Sequence, residues 1–301
     1  MRLHLKPLSA SCLLVLSSGL NADNNVAVDK LKNIASDKLN STLEEGVGYF
    51  LDNAEISISG VESGKPTIGI LGVQAISESE DLLDTVFGQY SLFTNDGRNT
   101  VNLGLGYRRM TEDEKWLFGV NAFYDHEFPY DHQRSSLGLE ARSSVVEFNA
   151  NKYWALSGWV SGEGGNNEQA LDGHDYEIGF ALPYMPSSKY YYKKFQWDAV
   201  GGAQDLKGST NSLAINGEIL FPGLTVEIGR TNYDSREDTN FAKLTYNYSF
   251  GKQVKSSPMF SDQAFKPLES MKDRRLEKVR RQNKIIHQKE FAITVTGGDV
   301  S

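Results

Sequence analysis

The sequence predicts an all-β membrane protein: an antiparallel transmembrane β-barrel of about twelve strands, with an N-terminal periplasmic helix and a C-terminal linker or helix in or near the lumen. Three observations carry this. Long runs alternate bulky apolar residues with glycine, amide and charge at a period of two. No run approaches the roughly 18 uninterrupted apolar residues that a membrane helix needs. The aromatic content is mainly Tyr (14) and Phe (15), which favour strands and interface girdles over a helical bundle. A mean hydropathy of −0.43 does not oppose a membrane location, because alternating strands dilute hydropathy.

The stretch from Val101 to Phe128 states the pattern most plainly. It reads VNLGLGYRRM, TEDE, then KWLFGVNAFYDHEF. In the first run Val101, Leu103, Leu105 and Tyr107 share one face, and Asn102, Gly104, Gly106 and Arg108 share the other. In the second, Trp116, Phe118, Val120, Ala122 and Tyr124 oppose Leu117, Gly119, Asn121, Phe123 and Asp125. A soluble sandwich spends its glycine and charge on turns and on the solvent side. A strand with one bulky face and one face of glycine, amide and charge suits lipid outside and water inside.

Taken in order, the chain opens with Arg2, His4 and Lys6, then an apolar core at Leu13, Leu14, Val15 and Leu16, then small residues and Ala22. This is the pattern of a secretory signal peptide (1–22) cleaved after Ala22. Cys12 is the single cysteine and leaves with it, so the mature chain is expected to have no disulfide and no thiolate metal site. Residues 23–53 are read as a periplasmic amphipathic helix, because Val28, Leu31, Ile34, Ala35, Leu39, Leu43, Val47, Phe50 and Leu51 recur at helical spacing. It packs on the domain behind it, or serves as a plug or docking element.

Residues 54–250 carry the barrel. Strand signals fall at 54–62, 66–76, 86–94, 100–109, 115–125, 134–142, 145–154, 174–183, 189–200, 211–221, 224–232 and 239–250. An even count suits single-chain bacterial barrels. With the N-terminus in the periplasm, the tight connections 143–144 and 222–223 face the periplasm. The longer ones, 126–133, 155–173 and 201–210, then face outside, which is the outer-membrane habit. Two connections run against it: 183–188 is long for a periplasmic turn and 95–98 is tight for an external one.

The alternation also picks out a lumen-facing set. Arg108, Asn121, Glu140, Arg142, Glu147, Asn149, Glu177, Glu218, Glu227, Lys243 and Asn247 fall on polar faces. A charge costs a few kcal/mol at the lipid midplane, so these are expected to point inward, into a polar, wet interior. Beyond the last strand, residues 251–301 form a loose polar linker, a basic segment expected to be helical (269–290), and the short tail FAITVTGGDVS. A basic helix fits nucleic acid, an acidic membrane or an acidic lumen. The formal net charge of −8 argues against nucleic acid as the main partner.

Several words of this sequence resemble the inverse autotransporter β-domain, the translocator of the intimin/invasin family. They are LLDTVFGQYSLFT (82–94), NLGLGYR (102–108), LFGVNAFYDHEF (117–128), SSLGLEA (135–141), NANKYWALSGW (149–159) and, more weakly, RLEKVRRQNKII (275–286). The resemblance implies a twelve-stranded barrel with a periplasmic N-terminus. It also implies a linker that threads back up the pore and a C-terminal passenger, usually a row of immunoglobulin-like adhesin domains. Here only FAITVTGGDVS follows the basic segment, too short for an independent domain, so the resemblance carries translocation and anchoring further than adhesion.

The expected function is therefore an outer-membrane translocator or anchor that exports or displays its own C-terminal segment. The alternatives are a passive outer-membrane pore and a rim-sited barrel hydrolase. For the last, Asp125–His126, Asp131–His132 and His174–Asp175 are the candidate groups, since an Asp–His pair can activate water. No serine or orienting group joins them from order alone, so no enzyme activity, cofactor or metal site is expected. The expected partners are outer-membrane lipid, the barrel-assembly machinery and either peptidoglycan or a host surface, with the chain itself a monomer in the bacterial outer membrane.

Overall fold

A strand surrounded by lipid must find a partner for every backbone N–H and C=O, and a closed sheet is the arrangement of strands that does so without an edge. The computed structural model describes residues 53–60, 65–216, 223–249, 258–265, 267–290 and 292–294. Twelve antiparallel strands close the barrel. They are β1 (Asn53–Ser59), β2 (Thr67–Glu78), β3 (Asp84–Asn95), β4 (Arg98–Met110), β5 (Leu117–Phe128), β6 (His132–Arg142) and β7 (Val146–Ala155), followed by β10 (Gly173–Leu182), β11 (Met185–Trp197), β12 (Leu206–Asn216), β13 (Leu224–Tyr233) and β14 (Thr239–Ser249). Each pairs with its neighbour in sequence, β7 pairs with β10, and β1 pairs with β14 to close the ring.

The connection between β7 and β10 holds two short strands, β8 (Val160–Ser161) and β9 (Asn167–Ala170). These join β15 (His287–Lys289) and β16 (Ala292–Thr294) in a separate sheet of order β16-β15-β9-β8. That sheet sits at the barrel mouth opposite the one where β1 begins and β14 ends. The expected signal peptide (1–22) falls outside the described residues, as does the expected helix (23–53) apart from Asn53, which opens β1.

Burial alternates along the strands with the period read from the sequence. In β4 and β5, Leu103, Leu105, Tyr107, Phe118, Val120 and Tyr124 are exposed on the outer surface. Asn102, Arg108, Asn121, Phe123 and Asp125 are buried inside. Leu137, Leu139, Phe148, Tyr176, Phe180 and Ile228 continue the apolar outer surface around the ring. Two inward glycines admit large rings: a Cβ on Gly104 would run into Phe123 and one on Gly106 into Phe87. The phenyl rings occupy the space that a side chain at those two positions would need.

Three expectations are corrected. The connection expected at 126–133 contracts to 129–131, because β5 keeps its alternation through Phe128 and β6 starts at His132. The connection expected at 183–188 is two residues long, since β11 begins at Met185. The basic segment 269–290 is not a helix: it holds one 3-10 turn at Lys272–Arg274 and is otherwise extended or irregular until β15. Its backbone finds partners on the barrel wall, so it has no need of the internal ladder of a helix. Among the described residues no helix is long and apolar enough to cross a membrane, and the crossing elements are strands.

Gly106→Val is expected to push the Phe87 ring out of its seat and to lower stability by about 1–3 kcal/mol. The measurement is the temperature at which the folded, fast-migrating band converts to the unfolded band in detergent gels.

The lumen and the segment that threads it

Strand parity delivers one side chain in two to the barrel interior, so a ring of twelve strands presents stacked tiers of inward groups. The occupant of that interior is Met271–Ile286. At the mouth where β14 ends, Met271 is fully buried against Met110 and Leu117, its N–H donates to the Glu114 carbonyl at 2.8 Å, and Lys272 pairs with Glu114 at 2.6 Å. At the opposite mouth Ile286 packs with Tyr153, Leu171, Phe195, Trp197 and Leu206, and β15 then joins β9. Halfway along, Leu276 and Val279 pack with Leu71, Val73, Ala75, Phe87 and Phe123.

Recognition runs in both directions. Wall side chains hold the segment's main chain. Arg108 Nη1 donates to the carbonyls of Arg275 (2.6 Å) and Glu277 (2.7 Å). Arg134 donates to those of Gln282 (2.6 Å) and Lys284 (3.1 Å), and Arg142 to that of Lys278 (3.0 Å). Asn53, Asn102 and Asn151 take the carbonyls of Leu276, Asn283 and Arg280 at 2.9 to 3.1 Å. Gln89 Oε1 and the Tyr153 hydroxyl accept the N–H groups of Val279 and Gln282, both at 2.7 Å.

Conversely, the wall acids hold the segment's cations. Arg274 pairs with Glu147 (2.6 Å), Arg275 with Glu78 (2.6 Å) and Lys278 with Glu55 (2.8 Å). Arg280 pairs with Glu177 and lies 3.7 Å over the Tyr191 ring. Arg281 reaches both oxygens of Asp125, at 3.0 and 2.7 Å, in the bidentate geometry that guanidinium and carboxylate share. The segment 271–290 carries eight Lys and Arg against three acids, so an acidic wall is its electrostatic complement.

Of the residues named from the alternation, Arg108, Arg142, Glu147 and Glu177 are buried and touch the segment, and Glu227 lies 3.7 Å from Arg280. Glu140 supports them by pairing with Arg108 (2.6 Å) and Arg142 (2.7 Å). Asn121, Asn149 and Lys243 are buried on the same inner surface, and Asn247 is half-buried. Glu218 and Ala22 fall outside the described residues. Glu55, Gln89, Asn102, Asp125, Arg134, Asn151 and Tyr153 were missed as contacts. Parity was the available signal, since Asp125 shares a face with Asn121, and Arg134 shares one with Glu140.

The candidate hydrolytic groups do not assemble. Neighbouring residues on a strand point to opposite surfaces, so the Asp125–His126 and His174–Asp175 pairs are split by the sheet. Asp125 turns inward to Arg281 and Arg134, whereas His126 turns outward and stacks on Phe128 at 4.2 Å. Asp175 turns inward to Asn151 and Tyr153, whereas His174 turns outward beside Tyr176. His132 is buried beneath the rim sheet and stacks on His287 at 5.3 Å. The contact that remains is His126 Nε2 to Asp131 Oδ1, 3.1 Å, on the outer surface.

That rim is organised by Glu168 of β9. Arg98 grips both its oxygens at 2.8 and 2.9 Å and also pairs with Glu127 at 2.7 Å. His132, His287 and Lys289 approach Glu168 at 3.3, 3.6 and 3.6 Å. Burial, together with the nearby Arg98 guanidinium, pushes the His287 ring down to about 3.

A closed twelve-strand barrel with an apolar skin and a polar, filled interior defines a bacterial outer-membrane barrel. The chain belongs to the family described as the inverse autotransporter β-domain, which it matches over residues 9–283. It is 27% identical over 179 residues to "Invasin" of Yersinia enterocolitica, which takes in 56% of this chain and 21% of that protein. It is 28% identical over 165 residues to "Inverse autotransporter adhesin YeeJ" of Escherichia coli (strain K12), covering 52% of this chain and 7% of that protein. A structure solved in work on the in-meso crystallization of membrane proteins aligns with a TM-score of 0.64 at 21% identity, over 79% of this chain and 99% of that one. That likeness is one of fold.

Two outcomes are expected. Asp125→Asn leaves Arg134 and Arg281 facing each other with no carboxylate, which costs about 3–5 kcal/mol for a broken buried pair. Hydrogen exchange at residues 281–284 is the measurement, and it should accelerate. The second concerns acidification. His287 is neutral when docked, with a pKa of about 3, and titrates near 6.5 when free. The free form therefore takes up a proton first as pH falls. Docking of β15 is at full strength above pH 6.5 and weakens progressively from there toward 3. Protease sensitivity of residues 287–294 measured between pH 7.5 and 5 should rise on acidification, and in His287→Gln that rise should be blunted.

Proposed function

We propose that this protein is an outer-membrane translocator and anchor that carries its own C-terminal segment through its lumen and holds it at the cell surface. The observation behind this reading is the path of Met271–Ile286, which enters at the mouth where β14 ends, is gripped along its length by wall residues, and leaves at the other mouth. An extended chain can slide where a globular one cannot. The arginines that take main-chain carbonyls hold groups that every residue offers, so their grip does not depend on the sequence passing through. The acids then select where it stops, because the basic cluster pairs with them.

The connections support an orientation with the N-terminus in the periplasm. The two longest connections among those fully described, 156–172 and 198–205, lie at the mouth from which the segment emerges. Short periplasmic turns and long external loops are the outer-membrane habit. Invasin and the adhesin YeeJ are much longer than this chain, which spans 21% and 7% of their lengths, and the name of the second joins an inverse autotransporter to an adhesin.

An epitope tag after Ser301 tests the reading. Proteinase K added to intact cells is expected to remove it, and a tag that stays protected until the outer membrane is permeabilised refutes the proposal. In planar bilayers the purified chain is expected to be nearly silent, with conductance appearing when residues 258–301 are removed. A conductance that is large from the outset and unchanged by that deletion favours a passive pore.

A further inference from the structure

A chain held at two or more points resists pulling in a way that depends on how its bonds lie against the force. Bonds in line along an edge open one after another. Bonds that cross a sliding interface share the force and must fail together. This molecule holds both arrangements in series. The hairpin of β15 and β16 is an antiparallel pair in which Lys289 meets Ala292 and His287 meets Thr294. Force applied beyond β16 opens it from one end, bond by bond.

Below the hairpin the geometry changes. The lumen segment runs from mouth to mouth, and its contacts cross to the wall from β1, β3, β4, β5, β6, β7 and β10. Outward force on Ile286 therefore loads the Arg134, Asn102 and Tyr153 bonds, the Arg281–Asp125 pair and the Arg280–Glu177 pair at once. At the entry mouth the segment ends in a stop. The 3-10 turn at Lys272–Arg274 is wider than extended chain, Lys272 is tied to Glu114, and Arg274 donates to the Ser143 carbonyl at 3.0 Å in the neighbouring turn. Met271 fills the apolar seat of Met110 and Leu117 behind it. Sliding outward would drag this turn and its charges past Phe87 and Phe123.

We propose that the lumen segment is a mechanical clamp: it sustains tension applied from outside in shear, with the β15–β16 hairpin as a weak element that yields first. This rests on the surface-display reading for its biological use, but the clamp itself is a property of the folded chain. The partner it serves is any load attached beyond residue 301.

The test is single-molecule force spectroscopy on the full chain in a lipid nanodisc. One handle is attached at Ser235→Cys, an exposed loop residue at the exit mouth, and the other after Ser301. Two events are expected in order: an early, short opening of the hairpin, then one cooperative rupture at a higher force. Arg281→Gln removes the bidentate pair and should shorten the lifetime of the second event at fixed load by about tenfold. Lys289→Ala, which removes the rim contacts to Glu163 and Glu168, should leave the second event unchanged. Folding of each variant is checked by its gel mobility, and Arg275→Gln, which loses the Glu78 pair, takes the place of Arg281→Gln if that chain does not fold.

Release of residues 271–290 in several small steps, at or below the force of the hairpin, overturns the clamp with the native chain alone. So does an Arg281→Gln lifetime equal to the native one. Protection of the Ser301 tag in cells, by contrast, refutes surface display and leaves the force result standing.

Discussion

The rest of the structure depends on main-chain carbonyls that lie inside a membrane-spanning barrel without a secondary structure of their own. A peptide group removed from water must be paired or it costs free energy comparable to a lost hydrogen bond. The strands pair with each other. Apart from the turn around Lys272–Glu277, the segment Met271–Ile286 does not pair with itself, so the wall has to supply its partners. Arg108, Arg134 and Arg142 do this, each fully buried and each aimed at carbonyls of the segment. A guanidinium suits the task because it offers five donors in a fixed fork and keeps its charge.

Those arginines bring charge into the interior, and that dictates the next tier. Glu140 is shared by Arg108 and Arg142, and Asp125 is shared by Arg134 of the wall and Arg281 of the segment. The segment's cations then need acids of their own, and Glu55, Glu78, Glu147 and Glu177 provide them. Occupant and wall thus form one network of ion pairs in which neither half is satisfied alone. Apolar contacts at both mouths and midway, from Met271, Leu276, Val279 and Ile286, give the occupant a position along the axis as well as a charge match.

Much of this was legible in the sequence, for a reason particular to barrels. The period of two is local, so the faces of β4 and β5 could be assigned from VNLGLGYRRM and KWLFGVNAFYDHEF without knowing any neighbour. The same local rule sends Asp125 inward and His126 outward, which separates the pair that adjacency in sequence suggests. Strand ends were less legible, because a hairpin as tight as 183–184 carries no more turn signal than the Pro and Ser residues that continue into β11. The conformation of 269–290 was illegible in principle. ESMKDRRLEKVRRQNKIIHQKE has a helical composition, and what overrides it is a set of donors on strands more than a hundred residues away.

A helix satisfies its own carbonyls, so a helical segment in this lumen would leave Arg108, Arg134 and Arg142 without the acceptors they now hold. It would also need a cylinder of about 10–12 Å, in an interior where Phe87, Phe123, Tyr153 and Trp197 already lie. A chain without a helical ladder leaves its carbonyls free to be turned toward several strands at different heights. The residues that make the segment look helical, its arginines and lysines, are the ones the acidic wall requires. Composition in this stretch therefore follows from the wall it meets and carries no information about its own backbone.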